Sequence, residues 1–428
     1  MSRLGDISAF VSRVVLFTAV GVSFAIAGEA DDGIETPSKP VATGELSAPT
    51  LAPRPPSLID LNYVNARVED LMKEDQMVGF AIAIVDRGEM SFVKGYGNVF
   101  PGGPQVNKDT VFRWASLSKG MAGTLAGILD NRGQMDLKAP VSNYKTTLRL
   151  PANGTAKVKV EDLLSHQLGI VPNAYDTRLE DGVDPQIIRK DLGKLKNICP
   201  PADCHSYQNV AFDAISEIAA DVTGKSYQEL VTENILQPLG MTSASLTREE
   251  LIQSGNYAFP FGYSRGISMV APVELNDNYY KVPAAGGMNS SIEDLARYMQ
   301  AQMGLAPNVL PPEVLDKIHA PKAATWKERN RMRRQSSHIT HADYALGWRV
   351  YDYEGRKLVG HRGAVRGYRA MILFDPELDT GIAALWNSST SMPVGLQFEV
   401  MDMAYGLEPQ KWMKLSSQGE DELTTSGD

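Results

Sequence analysis

The sequence predicts an α+β fold with one antiparallel sheet that is formed by both ends of the folded chain. Two strand-like apolar runs lie near its start, at residues 79–85 and 90–96, and four more lie near its end. Between these two groups, apolar residues recur with the spacing of helices. Strands at both ends favour a sheet flanked by helices, beside a mostly helical second lobe. A cleft between the lobes is the expected place for a functional site.

Each predicted element has its own local signal. An amphipathic pattern predicts a first helix over 58–73, and residues 86–88 form a hairpin turn between the first two strands. Apolar periodicity predicts three longer helices, at Ser116–Asn131, Val210–Thr223 and Ile292–Met303. Ser290 and Glu293 fit a capping box that opens the last of these helices. The later strands are predicted at 346–353, 357–361, 367–374 and 381–386.

The two ends of the chain lack the composition of a folded domain. Residues 14–28 carry no charge and end in small residues, which is typical of a secretory signal cleaved near Ala27. The apolar run is shorter than the ~20 residues of a membrane-spanning helix, so an uncleaved anchor is the weaker alternative. The predicted organisation is a signal peptide at 1–27, a proline-rich linker at 28–57, one folded domain at 58–409 and a disordered acidic tail at 410–428.

The composition excludes several classes of function. The net charge of −9 disfavours general nucleic-acid binding, which uses clustered positive charge. Two cysteines are too few for a four-cysteine zinc site or a disulfide-dense scaffold. The sequence has no phosphate-binding loop, no dinucleotide fingerprint and no H-E-x-x-H motif. We therefore expect a small-molecule or peptide substrate, with no metal, no cofactor and no nucleic-acid partner.

Two histidines and a basic stretch carry weaker signals. His338 and His341 have H-x-x-H spacing without an acidic ligand beside them, which indicates surface histidines. The basic residues between 327 and 334 are predicted to form a loop with a solvated charge run. Contact of this loop with an anionic envelope polymer is the alternative.

The candidate nucleophile is Ser116, which forms an S-x-x-K pattern with Lys119. Residues i and i+3 share a helix face, so Lys119 can reach the hydroxyl group of Ser116 and help to remove its proton. Free backbone N–H groups at the start of the helix favour developing negative charge. A serine that only caps the helix, beside an exposed lysine, is the structural alternative.

The same spacing occurs at two other places in the chain. Ser91 and Lys94 lie on a predicted strand, where residues i and i+3 point to opposite faces. Ser142 and Lys145 follow a proline in a predicted loop, without a helix behind them. Only the pattern at Ser116 opens a helix of small residues that would pack tightly in the centre of a domain.

Two further motifs follow in order, Tyr207-Gln208-Asn209 and His361-Arg362-Gly363. With these motifs the chain resembles the serine β-lactamase and penicillin-binding-protein superfamily, most closely its class C-like branch. That branch includes class C β-lactamases, D-alanyl-D-alanine carboxypeptidases, D-amino-acid peptidases and β-lactamase-fold esterases. Other similar segments are Phe112–Lys119, Leu163–Gly169, Leu236–Met241 and Gly286–Met288. The resemblance covers residues 58–407 and implies the β-lactamase/transpeptidase-like fold.

The resemblance implies a role for each matched residue. Ser116 would attack a carbonyl group and become acylated, while Lys119 supports the loss of the serine proton. Tyr207 would act as base or proton relay, which requires a neighbouring cation, expected to be Lys119, to stabilise its phenolate. Asn209 would orient the substrate and the lysine. Backbone N–H groups of Ser116 and of a residue on the strand after His361 would form the oxyanion hole.

The third motif departs from that of β-lactamases. Class C β-lactamases have Lys-Thr/Ser-Gly where this chain has His361, Arg362 and Gly363. Arg362 replaces the small hydroxyl residue that helps to bind a β-lactam carboxylate, which weakens the expectation of efficient β-lactamase activity. If Arg362 points away from the cleft, Arg366 or Arg369 is the alternative carboxylate-binding charge. The predicted substrate-binding residues are His361, Arg362, Gly363 and Ala364.

Cys199 and Cys204 lie just before Tyr207 in the sequence. We expect a disulfide between them, because an exported protein meets an oxidising compartment. A bridge over so short a loop contributes roughly 2 kcal/mol of stability in the chain-entropy account. It would also fix the segment that presents Tyr207. Two free buried thiols are the alternative.

The sequence thus predicts an exported serine hydrolase, periplasmic or extracellular, which cleaves a small amide or ester of the D-amino-acid type through an acyl-enzyme. A class C-type β-lactamase is the second hypothesis. A non-catalytic envelope protein that binds penicillin or peptidoglycan is the alternative from another class. We expect a monomer, which lies close to a membrane if the N-terminal segment stays uncleaved.

Overall fold

The computed structural model describes residues 57–262, 270–334, 336–408 and 410–416. The predicted signal peptide at 1–27, the linker at 28–57 apart from Ser57, and the acidic residues 420–422 lie outside these ranges. The described residues all belong to one unit, Pro56–Asp428. Along the described ranges, no helix combines the length and the apolar composition that crossing a membrane requires.

An eight-stranded antiparallel sheet forms the centre of the described domain. The strands in chain order are β1 (Gly79–Asp86), β2 (Glu89–Gly97), β3 (Phe112–Arg113), β4 (Phe261–Gly262), β5 (Ala271–Pro272), β6 (Asn289–Ser290), β7 (Ala323–Ala324), β8 (Ile339–Tyr344), β9 (Arg349–Tyr353), β10 (Arg356–Val365), β11 (Tyr368–Asp375) and β12 (Thr380–Trp386). The order in the sheet is β2-β1-β12-β11-β10-β9-β8-β7. Phe80 of β1 lies opposite Trp386 of β12, so the two ends of the chain close the sheet, as predicted.

Helices cover both faces of the sheet and form a second lobe beside it. Within the described ranges the α-helices are α1 (Leu61–Leu71), α2 (Ser118–Asn131), α3 (Val160–Leu164), α4 (Asp176–Glu180), α5 (Pro185–Asp191), α6 (Ala214–Thr223), α7 (Tyr227–Val231), α8 (Arg248–Gln253), α9 (Pro283–Gly286), α10 (Ile292–Gln302), α11 (Pro312–Ile318), α12 (Trp326–Met332) and α13 (Leu396–Ala404). This arrangement confirms the predicted α+β architecture.

The sheet has a hydrophobic core on each face. Successive side chains of a strand point to opposite faces, so alternate residues pack in different cores. Ile82 of β1 packs in one core with Val68 of α1 and Val400 of α13. Its neighbour Ala83 packs in the other core with Leu125 of α2. The central helix α2 therefore lies against the sheet on the face that carries the helical lobe.

The predicted loop around the basic stretch is wrong, because the structure has the helix α12 there. Glu328 on this helix is buried and pairs with the arginines Arg331, Arg349 and Arg362. Glu328 is one of the residues by which this helix packs on the domain, and the basic residues on either side of it in the sequence give no sign of its burial. The next segment is the strand β8, which the sequence did not predict.

Two smaller expectations also need correction. His338 is not a free surface histidine, since its Nδ1 lies 2.9 Å from a carboxylate oxygen of Asp402. Ser291, not Ser290, caps α10, and its hydroxyl accepts from the N–H of Asp294. The hydroxyl of Ser290 accepts from the indole N–H of Trp114 (2.8 Å) instead.

Residues 410–416, which were predicted as the start of a disordered tail, pack on the domain instead. Met413 is fully buried, and the indole N–H of Trp412 donates to Asp402 (2.6 Å). The N–H of Met413 also donates to the buried carboxylate of Glu399 (2.8 Å). The apolar residues within this polar stretch account for the difference.

Glu399 ties the two ends of the folded chain together. It accepts from two nitrogens of the buried Arg67 on α1, at 2.8 and 2.9 Å. We expect Glu399→Leu to lower the free energy of unfolding by about 3 kcal/mol or more, since it leaves a buried guanidinium without its carboxylate. Urea unfolding measures the loss. The control is Lys73→Ala, which breaks an exposed ion pair with Asp70 at the end of α1 and should change the free energy of unfolding little. Equal stability of both variants would contradict this role for Glu399.

Candidate active site

Ser116 lies on a tight turn just before α2. The 3₁₀ turn Ala115–Leu117 carries it, so Ser116 precedes the first residue of the helix. Ala115 has left-handed backbone geometry (φ 50°), which side chains rarely adopt. Ser118 stabilises the turn, because its hydroxyl donates to the carbonyl of Ala115 (2.6 Å) and accepts from the N–H of Met288 (3.0 Å). The constrained turn presents Ser116 to an open cleft.

Lys119 is fully buried in the first turn of α2. Its Nζ donates to the side-chain oxygen of Asn209 (2.6 Å) and to the carbonyl of Ala285 (3.0 Å), and it lies 3.5 Å from Ser116 Oγ. An ammonium group has three N–H donors, and these three oxygens match them. The structure therefore brings the two residues of the S-x-x-K pattern together and adds Asn209 as a third.

Asn209 connects Lys119 to a carboxylate that no sequence motif marks. Because an ammonium only donates, Asn209 faces Lys119 with Oδ1, and its Nδ2 donates to Asp176 (2.6 Å). Burial raises the pKa of Asp176, although the bond from Asn209 and the charge of Lys119 oppose the shift. Asp176 thus fixes the orientation of the amide that holds the lysine.

A buried ion pair supports the carbonyl group of Ala285. Asp213 accepts from the N–H of Ala284 (2.9 Å), and Arg189 donates to the other carboxylate oxygen of Asp213 (3.0 Å). Burial raises the pKa of Asp213 to about 7, against the opposing charge of Arg189. This pair therefore reaches Lys119 through the backbone of one short helix, α9, which the sequence does not reveal.

Tyr207 lies between two cations. Lys119 Nζ is 4.7 Å from the centre of its ring, and the guanidinium carbon of Arg349 is 5.7 Å away. Both positive charges therefore lie close to the ring of this phenol. Lys119 was the expected neighbour. Arg349, on β9, belongs to no recognised motif and was missed.

The segment 163–169 places the Tyr207 motif. His166 has a left-handed backbone (φ 62°), and its Nδ1 accepts from the N–H of Gln208 (3.2 Å). Its ring packs 4.3 Å from that of Tyr207. The predicted disulfide between Cys199 and Cys204 is present beside this contact.

The backbone of β10 comes unusually close to the turn that carries Ser116. A Cβ atom at Gly363 would lie 1.9 Å from the carbonyl oxygen of Trp114, so only glycine permits this approach. Strand β9 pairs with β10 only as far as Gly360. The following residues of β10 are therefore free of that partner where they pass Ser116.

Alternate residues of β10 point to different sides. Arg362 and Ala364 line a cleft of about 840 Å³. Its other walls include Ser116, Tyr207, Asn209, His205, Lys322, Lys327, Glu328, Arg331 and Arg349. The structure thus gathers Ser116, Tyr207, Asn209, Arg362 and Ala364 around one opening, with Lys119 directly behind it.

His361 lies behind the wall of this cleft, and its assignment to substrate contact needs correction. It is 1% exposed, because it sits on the opposite face of β10 from Arg362. Its Nδ1 lies 2.8 Å from the carbonyl of Arg362, which can only accept, so Nδ1 carries the proton. Nε2 then accepts from the hydroxyl of Tyr344 (2.9 Å). Burial, with the charges of Arg349 and Lys119, holds the pKa of His361 well below its usual range.

Glu328 organises the positive charges of the cleft. It bonds the guanidinium groups of Arg349 and Arg362 and accepts from the hydroxyl of Tyr351 (3.0 Å). Although burial opposes its charge, Arg349, Arg362 and Arg331 hold the pKa of Glu328 well below its usual range. The carboxylate stays ionised and keeps these arginines at the cleft wall.

The fold and the serine–lysine pair define a class, the serine hydrolases with a β-lactamase-like fold. The family model described as Beta-lactamase matches residues 64–399. The chain therefore belongs to the Beta-lactamase family, whose members are serine hydrolases. The superfamily and the fold expected from the sequence are confirmed, and the expected enzyme class is that of the family.

Several relatives show how broad this family is. "Unguisins hydrolase ungD'" of Aspergillus campestris (strain IBT 28561) is 28% identical over 346 residues, which are 78% of this chain and 63% of that protein. A "Beta-lactamase" of Yersinia enterocolitica is 26% identical over 369 residues, 78% of this chain and 88% of that protein. The octameric penicillin-binding protein homologue from Pyrococcus abyssi has a TM-score of 0.73 at 24% identity, covering 83% of this chain and 79% of that one. The match thus spans less than two thirds of the first relative.

His205 should make the domain sensitive to acid. Burial and the charge of Arg349 lower its pKa from 6.5 to about 4. The folded chain therefore binds fewer protons than the unfolded chain between these values, and stability falls as the pH drops from 6.5 to 4. We expect His205→Asn to reduce the difference in unfolding free energy between pH 7 and pH 5.

The matched control is His341→Asn, since His341 is exposed on β8. It should keep the pH difference of the unaltered chain in the same urea titrations. An unchanged difference in His205→Asn would contradict the assignment.

Proposed function

We propose that this chain hydrolyses a small amide or ester through an acyl-enzyme formed on Ser116. The observation that carries the proposal is the position of Lys119 Nζ, 3.5 Å from Ser116 Oγ and held by Asn209. A serine hydroxyl is a weak nucleophile until a neighbouring group takes its proton. Because Lys119 as an ammonium only donates, the group that takes the proton in this proposal is the phenolate form of Tyr207, and Lys119 stabilises the negative charge that develops on Ser116 Oγ.

In the proposed acylation step, Ser116 Oγ bonds to the carbonyl carbon while its proton passes to ionised Tyr207. Backbone N–H groups of Ser116 and Ala364 stabilise the charge on the carbonyl oxygen. The proton then moves to the leaving amine or alcohol as its bond to the carbonyl carbon breaks. In the second step a water molecule gives a proton to Tyr207 and attacks the acyl carbon. As the bond from this carbon to Ser116 Oγ breaks, Tyr207 passes the proton to Oγ, which releases the acid and restores both residues.

We further propose that the leaving group carries a carboxylate, as in a D-amino-acid peptide or ester. The support is the charge of the cleft, whose walls hold Arg331, Arg349, Arg362 and two lysines against few acidic groups. Glu328 holds Arg362 toward the opening, so Arg362 itself supplies the charge at the third motif. Guanidinium groups bind carboxylates in a fixed paired geometry.

A class C-type β-lactamase remains the second candidate. It is favoured by the relative named "Beta-lactamase", which matches along 88% of its own length. The bulk of Arg362 at the third motif stands against rapid turnover of bicyclic substrates, while acylation of Ser116 by penicillin is compatible with it.

We also propose that the protein is exported. The disulfide between Cys199 and Cys204 supports this location, because such bonds persist in oxidising compartments. Detection of the full chain only in the cytosolic fraction of its source cells would contradict export.

The nucleophile can be tested with short p-nitrophenyl esters. We expect Ser116→Ala to reduce the hydrolysis rate by about a thousandfold or more, because it removes the atom that becomes acylated. The matched control is Ser142→Ala, an exposed serine with the same S-x-x-K spacing, which should keep full activity. Release of p-nitrophenol measures both rates.

The same assay separates the alternatives. Hydrolysis of nitrocefin faster than of the esters would favour the β-lactamase. Absence of Ser116-dependent turnover, together with absence of covalent labelling by fluorescent penicillin, would support a non-catalytic binding protein and overturn the enzyme proposal.

The carboxylate preference can be tested on a D-alanyl-D-alanine peptide and its C-terminal amide. Arg362→Gln should lower kcat/KM for the free acid about tenfold relative to the amide, since one charge-assisted contact is lost. The control is Arg333→Gln. Arg333 is exposed at the end of α12, the helix that carries Glu328, and its replacement should keep the ratio. An unchanged ratio in Arg362→Gln would remove Arg362 from substrate recognition.

A further inference from the structure

A second cavity of about 380 Å³ adjoins the catalytic cleft. The two spaces share Ala364 of β10 as a wall, and the second one continues along Val365 and Arg366. Tyr279 forms part of its other side. The cavity therefore lies further along the same strand edge, on the side away from Arg362.

Arg113 lines this cavity and has an unusual environment. It is 3% exposed, and its Nε and one terminal nitrogen, Nη2, are buried without a hydrogen-bond partner among the described residues. Its guanidinium group lies 4.1 Å from the ring centre of Tyr280. Within the described ranges no carboxylate forms an ion pair with it. A buried cation normally has a partner, because an unsatisfied charge is costly.

The other charges of the cavity are already engaged or lie at its rim. Arg369 donates twice to the carbonyl of Ser389, at 3.1 and 2.8 Å. Glu180 accepts from the hydroxyl of Tyr279 (3.1 Å). Glu274 and Arg366 are exposed and of opposite sign. Arg113 is thus the unpaired charge at the buried end of the cavity.

We propose that this cavity is a second subsite, in which Arg113 binds a carboxylate on the acyl part of the substrate. The inference rests on the proposed acylation of Ser116. Arg113 and Ser116 are three residues apart, so their Cα atoms are at most about 11 Å apart. An acyl chain bound to Ser116 reaches the guanidinium group by passing Ala364. This contact differs from the one proposed for Arg362, which binds the leaving group.

The test compares esters that differ only at the far end of the acyl chain. Mono-p-nitrophenyl succinate, glutarate and adipate carry a terminal carboxylate, and p-nitrophenyl esters of equal chain length with a terminal methyl group are their neutral partners. For at least one chain length we expect the unaltered protein to prefer the anionic ester. Arg113→Met should lower the ratio of kcat/KM values, anionic over neutral, about tenfold.

Arg113 is buried, so its loss can reduce the amount of folded protein. The ratio within one preparation is independent of that amount. Arg366→Gln, at the exposed rim, provides a variant that preserves the core and should lower the same ratio by a smaller factor. Arg132→Gln is the control, since Arg132 caps the far end of α2, about 20 Å from Ser116; it should leave the ratio unchanged.

The outcomes separate this inference from the proposed function. Suppose that the neutral esters are hydrolysed through Ser116 but that Arg113→Met and Arg366→Gln both keep the ratio of the unaltered protein. The subsite is then refuted and the hydrolase proposal stands. If neither ester is hydrolysed, both proposals fall. A ratio that drops in Arg113→Met and stays constant in Arg132→Gln supports the subsite.

Discussion

The buried ammonium group of Lys119 is the constraint on which the site depends. A charge in a protein core is stable only when oxygens surround it, and here Asn209 and the carbonyl of Ala285 supply two of them. Asp176 orients the first, and the ion pair of Asp213 and Arg189 holds the backbone beside the second. The third direction points to Ser116. The side chain of Lys119 therefore fixes the segments that carry Asn209 and Ala285 relative to Ser116.

The charge of the cleft is opposite to that of the whole chain. The chain carries a net charge of −9, yet the walls around Ser116 are rich in arginine and lysine. Glu328 makes this possible, because one buried carboxylate holds Arg349 and Arg362 in place and leaves an excess of positive charge. His361 and His205 contribute no charge at neutral pH, since burial lowers the pKa of both. The fixed positive charge at this wall therefore comes from the arginines that Glu328 holds, Arg349 and Arg362.

The sequence predicts those features that local patterns encode. The strands at both ends and the helix behind Ser116 follow from periodicity, the disulfide follows from the expected export, and the structure has all of them. Asp176 and Arg349 could not be found in this way, because their partners are far away in the sequence, and Arg113 could not, because its burial depends on the tertiary packing. The charge pattern of the basic stretch predicts a loop. The helix that forms there has Glu328 buried, and this carboxylate pairs with Arg349 of β9 and Arg362 of β10, which are distant in the sequence. Alternation along β10 predicts that His361 and Arg362 point to opposite sides, but the side that faces the cleft depends on how the turn at Ser116 packs.

The central claim is that Ser116 forms a covalent acyl intermediate with Lys119 as its buried partner. Mass spectrometry of the protein quenched in acid during turnover of a p-nitrophenyl ester tests it most directly, with peptide mapping of the adduct. The account predicts one added acyl group on the peptide that contains Ser116, and none in Ser116→Ala. An acyl group on another residue, or turnover by the unaltered protein without any adduct after rapid quenching, would contradict it.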